Sequence, residues 1–261
     1  MLRRLPEPRR RDAQWAMTAG FDPHQRYFFD VNGYLVIDDV LTPAEVAALE
    51  AVIDRKRLPP PGESIASQRF EDDFLTWDRG LRALMDHPRV LPLLRELLGG
   101  QLRLDHAYGI VMAPGTSGLG LHGGGTPFDP AQYYAHRDGR PCSGLTTVMW
   151  SLVGSRPGEG GFGCIPGSHK ANEALPAEVP AEWVEEVALA AGSVLIFTEA
   201  LTHGTLRWTA PARRCSVLFK YSPGPLSWGR WQEPPARLWR QLSDQQRRLL
   251  QPPAVHPHDA V

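Results

Sequence analysis

Two histidines and an arginine-serine pair are the residues of this chain whose types and spacing could do chemistry. His122 lies in Gly118-Leu119-Gly120-Leu121-His122-Gly123-Gly124-Gly125, and His203 lies far downstream in Leu201-Thr202-His203-Gly204-Thr205. A neutral imidazole is the commonest protein ligand for a transition metal, so two of them on separate strands suggest a mononuclear metal site. Arg214 and Ser216 follow the second histidine and, two residues apart, share one face of an extended strand. A planar guanidinium with a hydroxyl beside it matches a carboxylate, which is what a dicarboxylate co-substrate presents at its far end.

Geometry on the strand adds a third candidate. With residues 195–203 extended, alternation puts Glu199, Leu201 and His203 on one face, and a hairpin to the next strand would set Arg214 and Ser216 beside the histidine. Glu199 is then either a metal ligand or an acceptor that orients a ligating histidine.

Competing motifs fail on context. Gly118-x-Gly120-x-x-Gly123 spells a dinucleotide fingerprint, which needs a helix to follow, and Gly-Gly-Thr-Pro cannot open one. His122-Gly123-Gly124-Gly125 also spells an oxyanion-hole motif of hydrolases, but no Gly-x-Ser-x-Gly elbow accompanies it. His136-Arg137-Asp138 offers a literal His-x-Asp. Its Asp138-Gly139 reads as a turn, and Asp129-Pro130 upstream places it in a surface loop, so His122 is preferred.

The elements that must position these residues are legible. Tyr34-Leu35-Val36-Ile37, after Asn32-Gly33, reads as a strand. Thr42-Pro43-Ala44-Glu45 reads as a capping box with proline at the first helical position, opening a helix whose apolar face is Val46, Leu49, Val52 and Ile53. A second helical region, interrupted at Pro88 and Pro92, stops at Gly99-Gly100. From Leu102 the texture changes to short strand-like runs: 102–112, 145–153, 162–165, 193–198 and 215–221. Such spacing predicts a sandwich or barrel, with the helices packed outside it in an α+β arrangement. One further helix is expected over about 236–250.

At 261 residues, with 28 Lys and Arg against 29 Asp and Glu, the chain suits one large domain with no overall affinity for polyanions, which excludes nucleic acid as a partner class. The expected organisation is a flexible arm over 1–20 holding Arg3, Arg4, Arg9, Arg10 and Arg11, a single domain over 21–250, and a disordered tail over 251–261. No apolar run is long enough for a bilayer, no signal peptide is apparent, and three cysteines without paired spacing suit reduced thiols, so a soluble cytoplasmic protein is expected. The sequence leaves the oligomeric state open.

Phe28-Phe29-Asp30-Val31-Asn32-Gly33-Tyr34-Leu35-Val36-Ile37, the segment Gly160-Gly161-Phe162-Gly163-Cys164-Ile165-Pro166-Gly167-Ser168-His169-Lys170, and the stretch from His203 to Ser216 resemble the phytanoyl-CoA dioxygenase family of iron(II)- and 2-oxoglutarate-dependent oxygenases. That resemblance implies a double-stranded β-helix, or jelly-roll, core with flanking helices. It implies iron held by His122 and His203, and 2-oxoglutarate held at its distal carboxylate by Arg214 and Ser216. Dioxygen and a small organic molecule would be the other reactants, with hydroxylation or a related C–H oxidation as the outcome.

One position departs from the pattern. The family usually carries His-x-Asp at the first ligand strand, and here the Asp position is Gly124. Three expectations follow: Glu199 completes the metal sphere; chloride occupies the open place, as in related halogenases; or the site is degenerate and the protein binds a ligand without turnover.

Overall fold

The computed structural model describes residues 20–60, 67–125 and 128–254. The arm expected over 1–20 lies outside the described residues except for Gly20, and the expected tail is described only to Ala254.

The helices come first. Helix α1, Pro23–Asn32, opens on a capping box in which the Asp22 carboxylate accepts from the backbone N–H groups of His24 and Gln25 while Gln25 accepts from the Asp22 N–H. Strand β1, Tyr34–Ile37, follows directly. Helix α2, Pro43–Asp54, opens on the Thr42/Glu45 box and buries Val46, Leu49, Val52 and Ile53, the face read from sequence. After β2 (Gln68–Phe70), the short α3 (Arg79–Ala83) and α4 (Leu91–Leu98) complete the helical layer, which ends at Gly99 as expected.

The β core holds β3 (Arg103–Met112), β4 (Leu119–His122), β5 (Tyr134–Arg137), β6 (Arg140–Ser143), β7 (Thr146–Ser151), β8 (Gly161–Cys164), β9 (Glu185–Glu186), β10 (Val194–Thr198), β11 (His203–Leu206) and β12 (Arg214–Ser222). They form a six-stranded sheet in the order β1-β10-β7-β12-β3-β2, a four-stranded sheet β4-β11-β8-β9 and the ribbon β5-β6. All pairings are antiparallel. The two larger sheets face each other as a jelly roll, and Phe162 of one sheet meets Phe197 of the other with ring centroids 4.8 Å apart.

Period-two alternation sorts the six-stranded sheet into two cores. Val148, Trp150, Val194, Ile196, Cys215, Val217, Phe219 and Tyr221 pack under the helices. Met149, Leu195, Phe197 and Leu218 point the other way, into the space between the sheets, where they meet Phe162 and Cys164. Burying each large apolar side chain contributes about 1.5–3 kcal/mol. The helix-side layer, with about three dozen such residues, therefore holds most of the stability.

Three expectations are corrected. The 236–250 helix is two pieces, α5 (Ala236–Trp239) and α6 (Asp244–Leu249), because Ser243 and Gln246 form a fresh capping box between them. His136-Arg137-Asp138 lies on a strand and its turn, not in a loop; Asp138 and Gly139 take φ of 52° and 74°, as the tight hairpin between β5 and β6 requires, and His136 is exposed. Residues 195–203 are not one strand, nor do they form a hairpin with 214–216. Strand β10 ends at Thr198, the chain turns over 199–202, and β11 belongs to the opposite sheet, while β12 pairs with β3 and β7. None of Cys142, Cys164 and Cys215 is in a disulfide. No helix among the described residues is long and apolar enough to cross a membrane.

Candidate functional site

Strands β4 and β11 bring the two histidines together. His122 and His203 are direct cross-strand partners, and their ring centroids lie 4.3 Å apart. Each Nδ1 faces a backbone carbonyl two residues upstream, Gly120 O at 2.9 Å for His122 and Leu201 O at 2.7 Å for His203. A ring nitrogen facing a carbonyl carries the proton, so both imidazoles are held in the tautomer that leaves the Nε2 lone pair free for a metal. Burial pushes the His203 pKa down to about 4, against the pull of Glu199, so the ring is neutral at physiological pH, as ligation demands.

Glu199 reaches this pair from the 199–202 turn and not from the strand alternation expected of it. Its Oε2 lies 3.9 Å from His203 Nε2, close enough that one ion about 2 Å from each donor could touch both. The same oxygen accepts from Lys220 Nζ at 2.9 Å, and Oε1 accepts from the Thr147 hydroxyl. Burial alone would raise the Glu199 pKa, but Lys220, His203 and Thr147 bring it down to about 2, so it is an anion with its charge already matched. Among the described residues no three His, Cys, Asp or Glu side chains converge as a ready metal cage.

Gly124, the position where a carboxylate would be expected, is constrained from behind. It takes φ +61°, and a Cβ there would lie 2.2 Å from Thr202 Oγ1. The missing side chain therefore aims at the Thr202 hydroxyl, and glycine is needed for the close approach of the two chain segments.

Arg214 and Ser216 project from β12 into the space between the sheets, on the same face as Leu218 and Lys220. Arg214 is buried, and its guanidinium meets only thioether sulfurs, Met112 Sδ at 3.5 Å and Met149 Sδ at 3.3 Å. Desolvation lowers its pKa to about 10, and it remains a cation at neutral pH. Ser216 Oγ is buried with no hydrogen-bond partner. Gly161 makes room for this group, because a Cβ there would come within 3.3 Å of Arg214 Nε. Leaving a buried guanidinium without an anion is expensive, and the pair has the donors that a carboxylate could accept from.

The structure thus brings His122 and His203 together with Glu199 beside His203, and it leaves the Ser216 hydroxyl unpartnered and the Arg214 guanidinium with only methionine sulfurs among the described residues. Sequence reasoning missed Lys220 and Thr147, although Arg214, Ser216, Leu218 and Lys220 continue a single alternation that would have found the lysine.

A sequence profile of the phytanoyl-CoA dioxygenase family matches residues 29–215. The chain belongs to this family. Among solved structures, HygX from Streptomyces hygroscopicus with nickel and 2-oxoglutarate bound superimposes with a TM-score of 0.72 at 26% identity, covering 82% of this chain and 91% of that one. A second HygX structure, with nickel, 2-oxoglutarate and hygromycin B bound, gives a TM-score of 0.71, also at 26% identity, covering 82% of this chain and 91% of that one. EctD from S. alaskensis, with 2-oxoglutarate and 5-hydroxyectoine, shares the fold at 19% identity and a TM-score of 0.61, over 79% of this chain and 77% of its own. No curated protein matches the chain by sequence. HygX has been crystallised with nickel and 2-oxoglutarate and also with iron bound.

Proposed function

We propose that this protein is an iron(II)- and 2-oxoglutarate-dependent oxidoreductase acting on a C–H bond of a small organic molecule. The observation that carries the reading is the buried Arg214 and Ser216 pair, which lacks an anionic partner and shares the inter-sheet space with two imidazoles whose Nε2 atoms are free. The likeness to HygX, crystallised with nickel and 2-oxoglutarate, supports both cofactors, and its complex with hygromycin B supports a small-molecule substrate.

His122 and His203 would hold the iron, and Arg214 with Ser216 would hold the distal carboxylate of 2-oxoglutarate. Iron with 2-oxoglutarate would supply the oxidising power, with dioxygen as co-substrate and succinate and carbon dioxide as by-products. The chain's own work is positional. The Gly120 and Leu201 carbonyls fix both imidazole tautomers, Lys220 and Thr147 hold the Glu199 carboxylate beside His203, and the apolar walls Met112, Met149, Phe197 and Leu218 exclude water. Glu199, beside His203, would serve as third ligand or as an orienting neighbour. Halogenation would need chloride beside the iron. Gly124 argues less for it than the sequence alone does, because the absent side chain aims at Thr202.

Calorimetric titration under anaerobic conditions tests the reading. One iron(II) should bind per chain, His203→Ala should abolish that binding, and 2-oxoglutarate should bind only with metal present. Succinate should then form with a turned-over substrate, and chloride appearing in the product would establish the halogenase alternative. A chain that binds neither metal nor 2-oxoglutarate would instead be a non-catalytic ligand-binding jelly roll.

A further inference from the structure

Beyond Lys220, the inner face of β3 carries a row of rings that the site just described does not use. His106 stacks on Tyr108, with centroids 6.0 Å apart and planes 13° from parallel, and on Trp228, at 5.3 Å and 26°. Lys220 Nζ sits 5.9 Å from the Tyr108 ring and 5.7 Å from the Trp228 ring. Because Lys220 also binds Glu199, and Glu199 borders His203, the rings continue directly from the candidate metal pair.

The row is built, not incidental. Asp105, with a fully buried carboxylate, accepts from the backbone N–H groups of Trp228 and Gly229, each at 2.9 Å, and contacts His106 Nδ1 at 2.9 Å. One carboxylate thus fixes two of the three rings. Trp228 nevertheless remains 50% exposed, a large apolar face left facing solvent at the end of the row.

At the other end the Arg69 guanidinium lies 4.9 Å from the Tyr108 ring. Its Nε is buried with no hydrogen-bond partner, and among the described residues no carboxylate forms an ion pair with it. Lys220, by contrast, is matched by Glu199, so Arg69 is the cation lying on this row without a matching carboxylate among the described residues. A half-buried, unpaired guanidinium lying on an aromatic ring is the arrangement that accepts an anion, since the ring holds the fork in place.

We infer that the Tyr108–His106–Trp228 row is the substrate subsite, that Arg69 binds an anionic group of the substrate, and that the substrate is a ring-bearing small molecule with one carboxylate or phosphate. This rests on the reading of the protein as an iron(II)- and 2-oxoglutarate-dependent enzyme. The exposed Trp228 face offers a flat apolar surface to a ring, and Arg69 fixes where the anionic group of the substrate lies. Asp105 is a positioning residue that acts through His106 and Trp228.

Binding to the full-length protein loaded with nickel(II) and saturating 2-oxoglutarate tests it. The probes are matched pairs: benzoate and benzamide, indole-3-acetate and indole-3-acetamide, phenyl phosphate and phenol. In at least one pair the anion should bind about ten-fold tighter than its neutral partner. Arg69→Met should erase that difference while leaving 2-oxoglutarate affinity intact, and Trp228→Leu should weaken both members. The carboxylate and phosphate pairs distinguish which anion is preferred. If 2-oxoglutarate binds but no pair discriminates, or discrimination survives Arg69→Met, the subsite is wrong and the functional reading stands. If 2-oxoglutarate itself does not bind, both fall.

Discussion

Alternate residues of one strand, β12, face two different interiors, and the two faces are satisfied in opposite ways. On the helix side Cys215, Val217, Phe219 and Tyr221 are fully buried, and the single polar group among their side-chain tips, the Tyr221 hydroxyl, donates to the Met85 carbonyl at 2.7 Å. On the inner side Arg214, Ser216 and Lys220 are buried as well, yet among the described residues Ser216 has no hydrogen-bond partner and Arg214 meets only thioether sulfurs. The same backbone therefore carries stability on one side and unspent binding capacity on the other. Burial does not tell the faces apart; hydrogen-bond satisfaction does.

Substitutions on the two faces should separate accordingly. Phe219→Ala, which removes a ring packed against Phe74 at a centroid distance of 5.7 Å, should cost about 3–5 kcal/mol in urea unfolding. A loss no larger than that from an inner-face substitution would erase the distinction. Arg214→Met should lower 2-oxoglutarate affinity about 100-fold, a loss of about 3 kcal/mol, while leaving the unfolding midpoint unchanged or raised, because a desolvated charge has gone.

Asp105 sharpens the contrast from the satisfied extreme. This carboxylate is held by Arg103, His106 and the Trp228 and Gly229 amides, and its pKa falls from 3.8 to about 2 despite burial. A depressed carboxylate contributes stability above its unfolded pKa that is lost as pH falls through its folded one. The protein should therefore lose about 2 kcal/mol between pH 4 and pH 2 from this group, and Asp105→Asn should flatten that part of the profile. Ser216→Ala, the smallest change, should weaken 2-oxoglutarate binding about five-fold, worth about 1 kcal/mol, without loss of stability. A stability loss there would mean the hydroxyl has a partner within the fold.

Much of this was readable from residue order. The Thr42/Glu45 box, the Gly99 stop and five strands from 102 onward follow from caps and period-two alternation, which are local properties. That His122 and His203 belong to one site follows from residue type, spacing and the family resemblance; that they are cross-strand partners does not. What local reasoning missed depends on which sheet a strand joins. An extended 195–203 was a fair reading of an apolar run, but the jelly roll needs the chain to leave one sheet after Thr198 and enter the other at His203. Glu199 reaches His203 only because of that crossing. The Asp22/Gln25 box, just after the expected arm, and the Ser243/Gln246 box, inside the expected 236–250 helix, carry the same local signal as Thr42/Glu45. Arg69 gave no signal at all, since its lack of a partner is a property of the folded molecule.

The cross-strand partnership of His122 and His203 has a consequence for how the protein comes to exist. Strand β4 lies at the outside of its sheet and is paired only with β11. The two imidazoles therefore meet only when segments far apart in the chain have docked. A nascent or partly unfolded chain has no paired histidines, and so no place to hold a redox-active metal next to exposed peptide. On the proposed reading, completing the fold and gaining a metal site would be one event, which would confine reactive chemistry to molecules already closed around it.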